Sequence, residues 1–209
     1  MPTYPVYQGQ FGPFTIDDGD RRGVLLYRTG LVGAAACFAL GSGLILHLGP
    51  TPPVLTAVTI LYWLFLGSLG LSLWTIHIYL QPLHRLLQLF WGLGVLASGI
   101  LTLLAPAPWL VYIYQQPWGL VGVGFGFAAL TGIFFKEAFC FNRLETKFLT
   151  PLVPSLLLGH LAGFLSYGSE KIMLALWSVL FIVFALRKAW QPIAPDIGDK
   201  SVFTYLQNH

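Results

Sequence analysis

Apolar residues in this chain come in long unbroken runs, and polar residues gather in the gaps between them. Six runs read as membrane-spanning helices, over about 24–47, 54–80, 86–104, 118–136, 151–165 and 172–186. Gly49, Pro50, Pro52 and Pro53 turn the chain after the first run, and Gln81-Pro82 end the second. Pro151 and Pro154 open the fifth, and Ser166 to Lys171 turn the chain into the sixth. Residues 105–117, APAPWLVYIYQQP, are too short and too proline-bounded to cross. With Trp109, Tyr112, Tyr114 and Trp118 they predict an interfacial loop in the aromatic belt. Residues 1–19, rich in Pro, Gly, Tyr and Asp, predict an ordered or semi-ordered arm. Thr15 to Asp18 loosely fit a capping box, with Asp20 as a competing cap.

The predicted fold is therefore all-α: a polytopic membrane protein, a bundle of six transmembrane helices arranged as three hairpins. Residues 1–23 form an N-terminal cytoplasmic arm, 24–189 the membrane domain and 190–209 a C-terminal cytoplasmic tail. Composition agrees. The chain has 209 residues, 56% of them hydrophobic and only 9% charged, against roughly 25% charged in soluble domains. A soluble fold of this size could not hide so much apolar surface, and the missing alternation argues against a barrel. The net charge of +3 is dispersed, so nucleic acid is not a predicted partner. Cys37 lies deep in the first run and Cys140 just outside the fourth, depths that disfavour a disulfide. The first 16 residues lack Lys and Arg and the first run is too long for a signal sequence, so no cleavable leader is expected.

Charge sets the orientation. With six crossings, ten of the eleven Lys and Arg residues fall on one side, and only Lys171 falls opposite. The positive-inside rule then places both termini inside.

Five of the nineteen charged residues crowd into Lys136–Lys147, KEAFCFNRLETK. At about 100° per residue, Lys136, Cys140, Arg143 and Lys147 fall within about 60° on a helix. They predict a basic docking platform on the inner face, opposed by the reading that they are ordinary topology charges. Arg28, about one turn into the first span, His77, Arg85 and Glu137 form a candidate inner polar cluster, with Glu137 the expected partner of Arg28. A charge within hydrocarbon costs roughly 2.5–3.5 kcal/mol, so Arg28 must pair or snorkel. His160 is the strongly polar residue nearest mid-membrane, beside a Gly159/Gly163 pair that would admit a close helix neighbour. An interhelix hydrogen bond competes there with a haem or metal role, and ligand spacings such as HExxH are absent. Cys140, between Lys136 and Arg143, is either a reactive thiol or a small packed residue. Gly119, Gly122, Gly124 and Gly126 give the fourth span a smooth face for helix packing, within the protein or against another membrane protein. No catalytic residue, metal site or cofactor is predicted.

DRRGVLLYR at Asp20–Arg28, KEAFCF at Lys136–Phe141 and LGHLAG at Leu158–Gly163 resemble a family of uncharacterised integral membrane proteins, largely cyanobacterial. The resemblance implies a bacterial plasma membrane or thylakoid membrane and supplies no catalytic residues. The expected role is a non-enzymatic assembly, scaffold or accessory factor of a membrane complex. A small transporter or channel and a membrane redox protein or enzyme are the alternatives, and the lipid bilayer is the one partner all three share.

Overall fold

In the computed structural model, which describes residues 4–78, 80–105, 108–202 and 205, the arm departs from the all-helical expectation. Val6–Gly9 (β1) and Gly12–Thr15 (β2) pair antiparallel across the two-residue turn Gln10-Phe11. Tyr7 stacks on Phe14 across the pair, with ring centroids 5.6 Å apart. Residues 1–3 of the predicted arm, Tyr79 of the predicted second span, Pro106 and Ala107 of the aromatic loop, and Phe203, Thr204 and 206–209 of the tail lie outside the described residues.

The first helix, α1 (Asp18–Leu48), starts six residues before the predicted span because its cap is chemically complete. The Asp17 carboxylate accepts from the Asp20 backbone N–H and Asp20 returns the bond to the Asp17 N–H, both at 2.9 Å. The box is thus built on Asp17 and Asp20 rather than on Thr15–Asp18. Pro52 begins α2 (Pro52–Thr75), which ends five residues short of the predicted span. His84 closes that end: its Nε2 lies 2.7 Å from the carbonyl of Leu73, one of the last unpaired carbonyls of α2. Next come α3 (Gln81–Leu104), the short α4 (Trp109–Gln115) and α5 (Pro117–Phe141). The aromatic stretch is therefore no simple loop. Trp109 and Ile113 of α4 are buried, and the Trp109 indole donates to Thr59 Oγ1 at 3.0 Å.

The predicted platform helix breaks in its middle. Asn142 takes a left-handed conformation, φ 52° and ψ 36°, and ends α5. Asn tolerates this backbone better than most residues, and it cannot continue a right-handed helix. Arg143 is extended, and α6 (Leu144–Leu161) runs back along α5. Pro151 and Pro154 sit inside α6 instead of opening it. The Thr150 hydroxyl donates to the Thr146 carbonyl at 2.7 Å within this proline-interrupted ladder. After α7 (Tyr167–Ala189) the chain turns into a single-turn α8 (Ala194–Ile197).

Among the described residues, five helices are long and apolar enough to cross a membrane: α1, α2, α3, α5 and α7. The six-span expectation is met to that extent. α6 falls outside the set because Glu145 and Lys147 occupy its start and His160 its end. α1 packs along α2 and α7, α5 along α3 and α6, and α6 along α7. Their shared core includes Leu31, Phe65, Leu69, Leu130, Phe134, Trp177 and Phe181. Two crossings are close enough to need glycine: a Cβ on Gly94 of α3 would lie 2.5 Å from the backbone nitrogen of Gly126 in α5, and one on Gly30 of α1 would lie 2.5 Å from the carbonyl oxygen of Ser68 in α2. The smooth face of α5 is used inside the protein, with Gly122 against Ala97 and Gly126 against Leu66, whereas Gly124 faces open space.

Candidate functional site

Two polar assemblies lie at opposite ends of the bundle. At the end holding both terminal segments, Arg28 is buried three turns into α1 and its guanidinium grips the segment after α7. Nε and Nη2 donate to Asp196 Oδ2 at 2.9 and 2.6 Å. Nη1 and Nη2 also donate to the carbonyls of Gln191 and Pro192 at 2.5 and 2.9 Å. Lys188, fully buried on α7, bonds Asp196 on one side and Glu137 Oε2 on the other, the latter at 2.6 Å. Its ammonium lies 4.0 Å from the centre of the Phe141 ring. The second oxygen of Glu137 accepts from Lys136 at 2.9 Å and from the Tyr27 hydroxyl at 3.1 Å. Glu145 continues the network to Arg187 at 2.7 Å and to Arg143 at 3.7 Å. Such a chain satisfies buried charges only collectively, since each acid is shared by two bases.

The tail also clasps the hairpin. Gln10 N–H donates to Asp199 Oδ2 at 2.6 Å, and Phe11 N–H to Ser201 Oγ at 3.0 Å. A Cβ on Gly9 would stand where the Asp199 and Ser201 side chains make the clasp, so a larger residue there has to displace them. Hydrogen bonds from the Ser201 hydroxyl and from the Gln10 and Ser201 amides hold the Asp199 carboxyl below its ordinary value.

At the other end a cavity of about 360 Å³ opens between α1, α2, α4, α5, α6 and α7. Phe38, Phe65, Phe127 and Trp177 line its deeper part, with Phe38 and Trp177 ring centroids 4.3 Å apart. Where α6 ends and α7 begins, the lining turns polar with Tyr114, His160, Tyr167, Glu170 and Lys171. His160 Nδ1 lies 2.6 Å from Glu170 Oε1, and Nε2 lies 2.8 Å from the carbonyl of Tyr114. The Tyr114 hydroxyl donates to Glu170 Oε2 at 2.7 Å, and that bond pushes its own pKa up to about 12. α4 is thereby tied to α6 and α7 across the cavity.

Residues 71–205 match the family described as uncharacterized integral membrane protein (DUF2301), well over half of the chain. The chain belongs to that family. A relative from Haemophilus influenzae, described as an uncharacterized protein, is 29% identical over 185 residues, covering 86% of this chain and 89% of its own. No solved structure matches. The relative's source lies outside the cyanobacteria to which the resemblance pointed. Membership establishes an integral, multi-pass membrane protein.

Within this DUF2301 protein, the residues singled out by sequence separate. Arg28 and Glu137 share one network but do not touch; Lys188 and Asp196 stand between them. His77 lies in the α2–α3 link beside Gly23, 3.4 Å from where a Cβ would stand there, and makes no hydrogen bond to the network among the described residues. Burial pushes its imidazole below the ordinary value. Arg85 is exposed and bonds Gln88, outside the cluster. The platform divides: Lys136 and Arg143 turn inward to Glu137 and Glu145, while Cys140 and Lys147 remain exposed. His160 sits in the last turn of α6. Gly163 lies beyond the helix with φ 69°, so the Gly159/Gly163 pair forms no helix-packing face. Both cysteines are free, as their depths implied.

Lys188, Asp196, Glu145 and Glu170 were missed. Lys188 lies two residues past the last predicted span, yet it follows Phe181 by seven residues and Phe184 by four on one helical stripe. That register marks it as facing the core. Asp196 has no such signal, because nothing local shows that the tail folds back.

Proposed function

We propose that this protein binds an amphiphilic molecule within the membrane, taking its apolar part into the cavity between α1, α2, α4, α5, α6 and α7. The observation that carries the reading is the cavity itself: about 360 Å³, apolar through most of its depth and polar at one end. That volume and lining suit a small-molecule site. The role is non-enzymatic. Of the charged residues that might have served as reactive groups or as a docking platform, Glu137, Lys136, Arg143 and Lys188 are taken up in ion pairs within the protein. The reading includes six crossings, with α6 as the fifth and the network end facing the cytoplasm, in keeping with the ten-to-one distribution of basic residues. The β-hairpin and the described residues after α7 then form one cytoplasmic cap.

The test is solvent extraction of the purified protein followed by mass spectrometry, with Gly41→Leu as the comparison. A Cβ at Gly41 would meet Val58 and Leu61 at 3.8 and 3.9 Å, ordinary contact, so the backbone accepts a larger residue that fills the space. The wild type is expected to yield a bound amphiphile that the variant lacks. Identical extracts would overturn the reading.

A second reading, an accessory or scaffold component of a larger membrane assembly, is supported by the groove between α5 and α6. It is apolar, of about 350 Å³, and reaches the open face of Gly124. Co-purification in mild detergent, with Gly124→Phe as the blocked form, tests it: a partner lost from the variant supports the reading, and unchanged co-purification removes it.

A further inference from the structure

Resting on the cavity reading, we infer that the bound amphiphile is anionic at its polar end and that Lys171 is the residue that recognises it. The argument is one of charge at the cavity's polar end. His160 Nε2 faces a backbone carbonyl, which can only accept, so Nε2 carries a hydrogen. Nδ1 faces a Glu170 oxygen at 2.6 Å, and a single proton lies between the two. Whichever atom holds that proton, the His160–Glu170 pair is neutral as a unit. The remaining Glu170 oxygen accepts from the Tyr114 hydroxyl. The acid is therefore spent.

Among the described residues, the other acids all lie at the opposite end of the bundle: Asp17, Asp18 and Asp20 at the start of α1, Glu137 and Glu145 at the α5–α6 turn, and Asp196 and Asp199 after α7. Lys171 is thus a cation without a carboxylate. Its ammonium lies 4.8 Å from the centre of the Tyr167 ring, a contact that orients it and leaves its charge uncompensated. It also lines the cavity, on the helix whose Leu174 and Trp177 continue the lining inward. An apolar cavity with one unbalanced positive charge at its polar end selects an apolar chain ending in an oxyanion. A long-chain carboxylate and an alkyl phosphate share this chemistry.

The experiment uses the full-length protein in phosphatidylcholine nanodiscs and three photoreactive probes of equal chain length, each with a mid-chain diazirine. One ends in a carboxylate, one in a phosphate and one in an alcohol. Labelling of cavity peptides is read by mass spectrometry. Either anionic probe should label the cavity about fivefold more than the alcohol, the preference of one ion pair at a partly wet rim. Which of the two dominates identifies the head group. Lys171→Gln should remove that preference and leave alcohol labelling unchanged, and Lys171→Arg should retain it. Gly41→Leu, with Ser42→Phe as a second blocking variant, should abolish labelling by all three. If acid, phosphate and alcohol label alike and Lys171→Gln changes nothing, the anionic inference falls while the cavity reading stands. If no probe labels cavity peptides, both fall.

Discussion

Lys188 has no exposed surface and joins Glu137 of α5 to Asp196 of the tail, so the Glu137–Lys188 pair is the contact most sensitive to truncation. At 2.6 Å and an effective dielectric of about 20, their attraction is about 6 kcal/mol. Desolvation of the two ions offsets most of it, but removing one partner strands the other at a cost of about 3–5 kcal/mol. The neighbours soften this. Without Lys188, Glu137 keeps Lys136 at 2.9 Å and the Tyr27 hydroxyl at 3.1 Å. Without Glu137, Lys188 keeps Asp196 and the Phe141 ring. Glu137→Ala and Lys188→Ala should therefore each cost about 3 kcal/mol, at the low end of that range. The double variant should lose about 4 kcal/mol rather than 6, a coupling of about 2 kcal/mol. Reversible unfolding with sodium dodecyl sulfate in mixed micelles, followed by tryptophan fluorescence, measures all three. Additivity within about 0.5 kcal/mol, or single losses below about 1 kcal/mol, would refute the reasoning.

Three further outcomes follow from the packing, the clasp and the topology. Gly94→Ala should cost about 2 kcal/mol in the same assay, because its Cβ meets the backbone of Gly126 at 2.5 Å, whereas Gly124→Ala should be nearly neutral. Equal costs would contradict the close α3–α5 crossing. Because the Asp199 carboxyl titrates below its ordinary value, its clasp contributes fully above that ordinary value, near 3.8, and is lost as pH falls through the lowered one. Hydrogen exchange at Gln10 and Phe11, corrected for intrinsic rates, should hold constant from neutral pH to about 4 and quicken below; loss of protection beginning near pH 6 would count against it. Reporters inserted beside Thr51 and within 105–117 should fall on the side opposite a C-terminal reporter, and a shared side would remove the six-crossing arrangement.

The class of the protein, its main helices and the grouping of its basic residues were legible in the chain because each depends on local composition or on the period of one helix. Uninterrupted apolar runs leave no other way to satisfy backbone hydrogen bonds in lipid. Helix ends were less legible, since they turn on single caps: the Asp17–Asp20 box extends α1, and left-handed Asn142 sets the point at which the partly helical charged stretch breaks. Partner choice was not local at all. Arg28 and Glu137 looked like mutual partners by depth, yet the tail after α7 returns to insert Asp196, and Lys188 turns inward between them. His160 likewise needed α4 and α7 to bring Tyr114 and Glu170 to its two nitrogens. Buried charges must be neutralised by whatever the folded chain brings within about 3 Å, and that set is decided by which helix ends and loops meet in space, a property of the tertiary fold rather than of any segment.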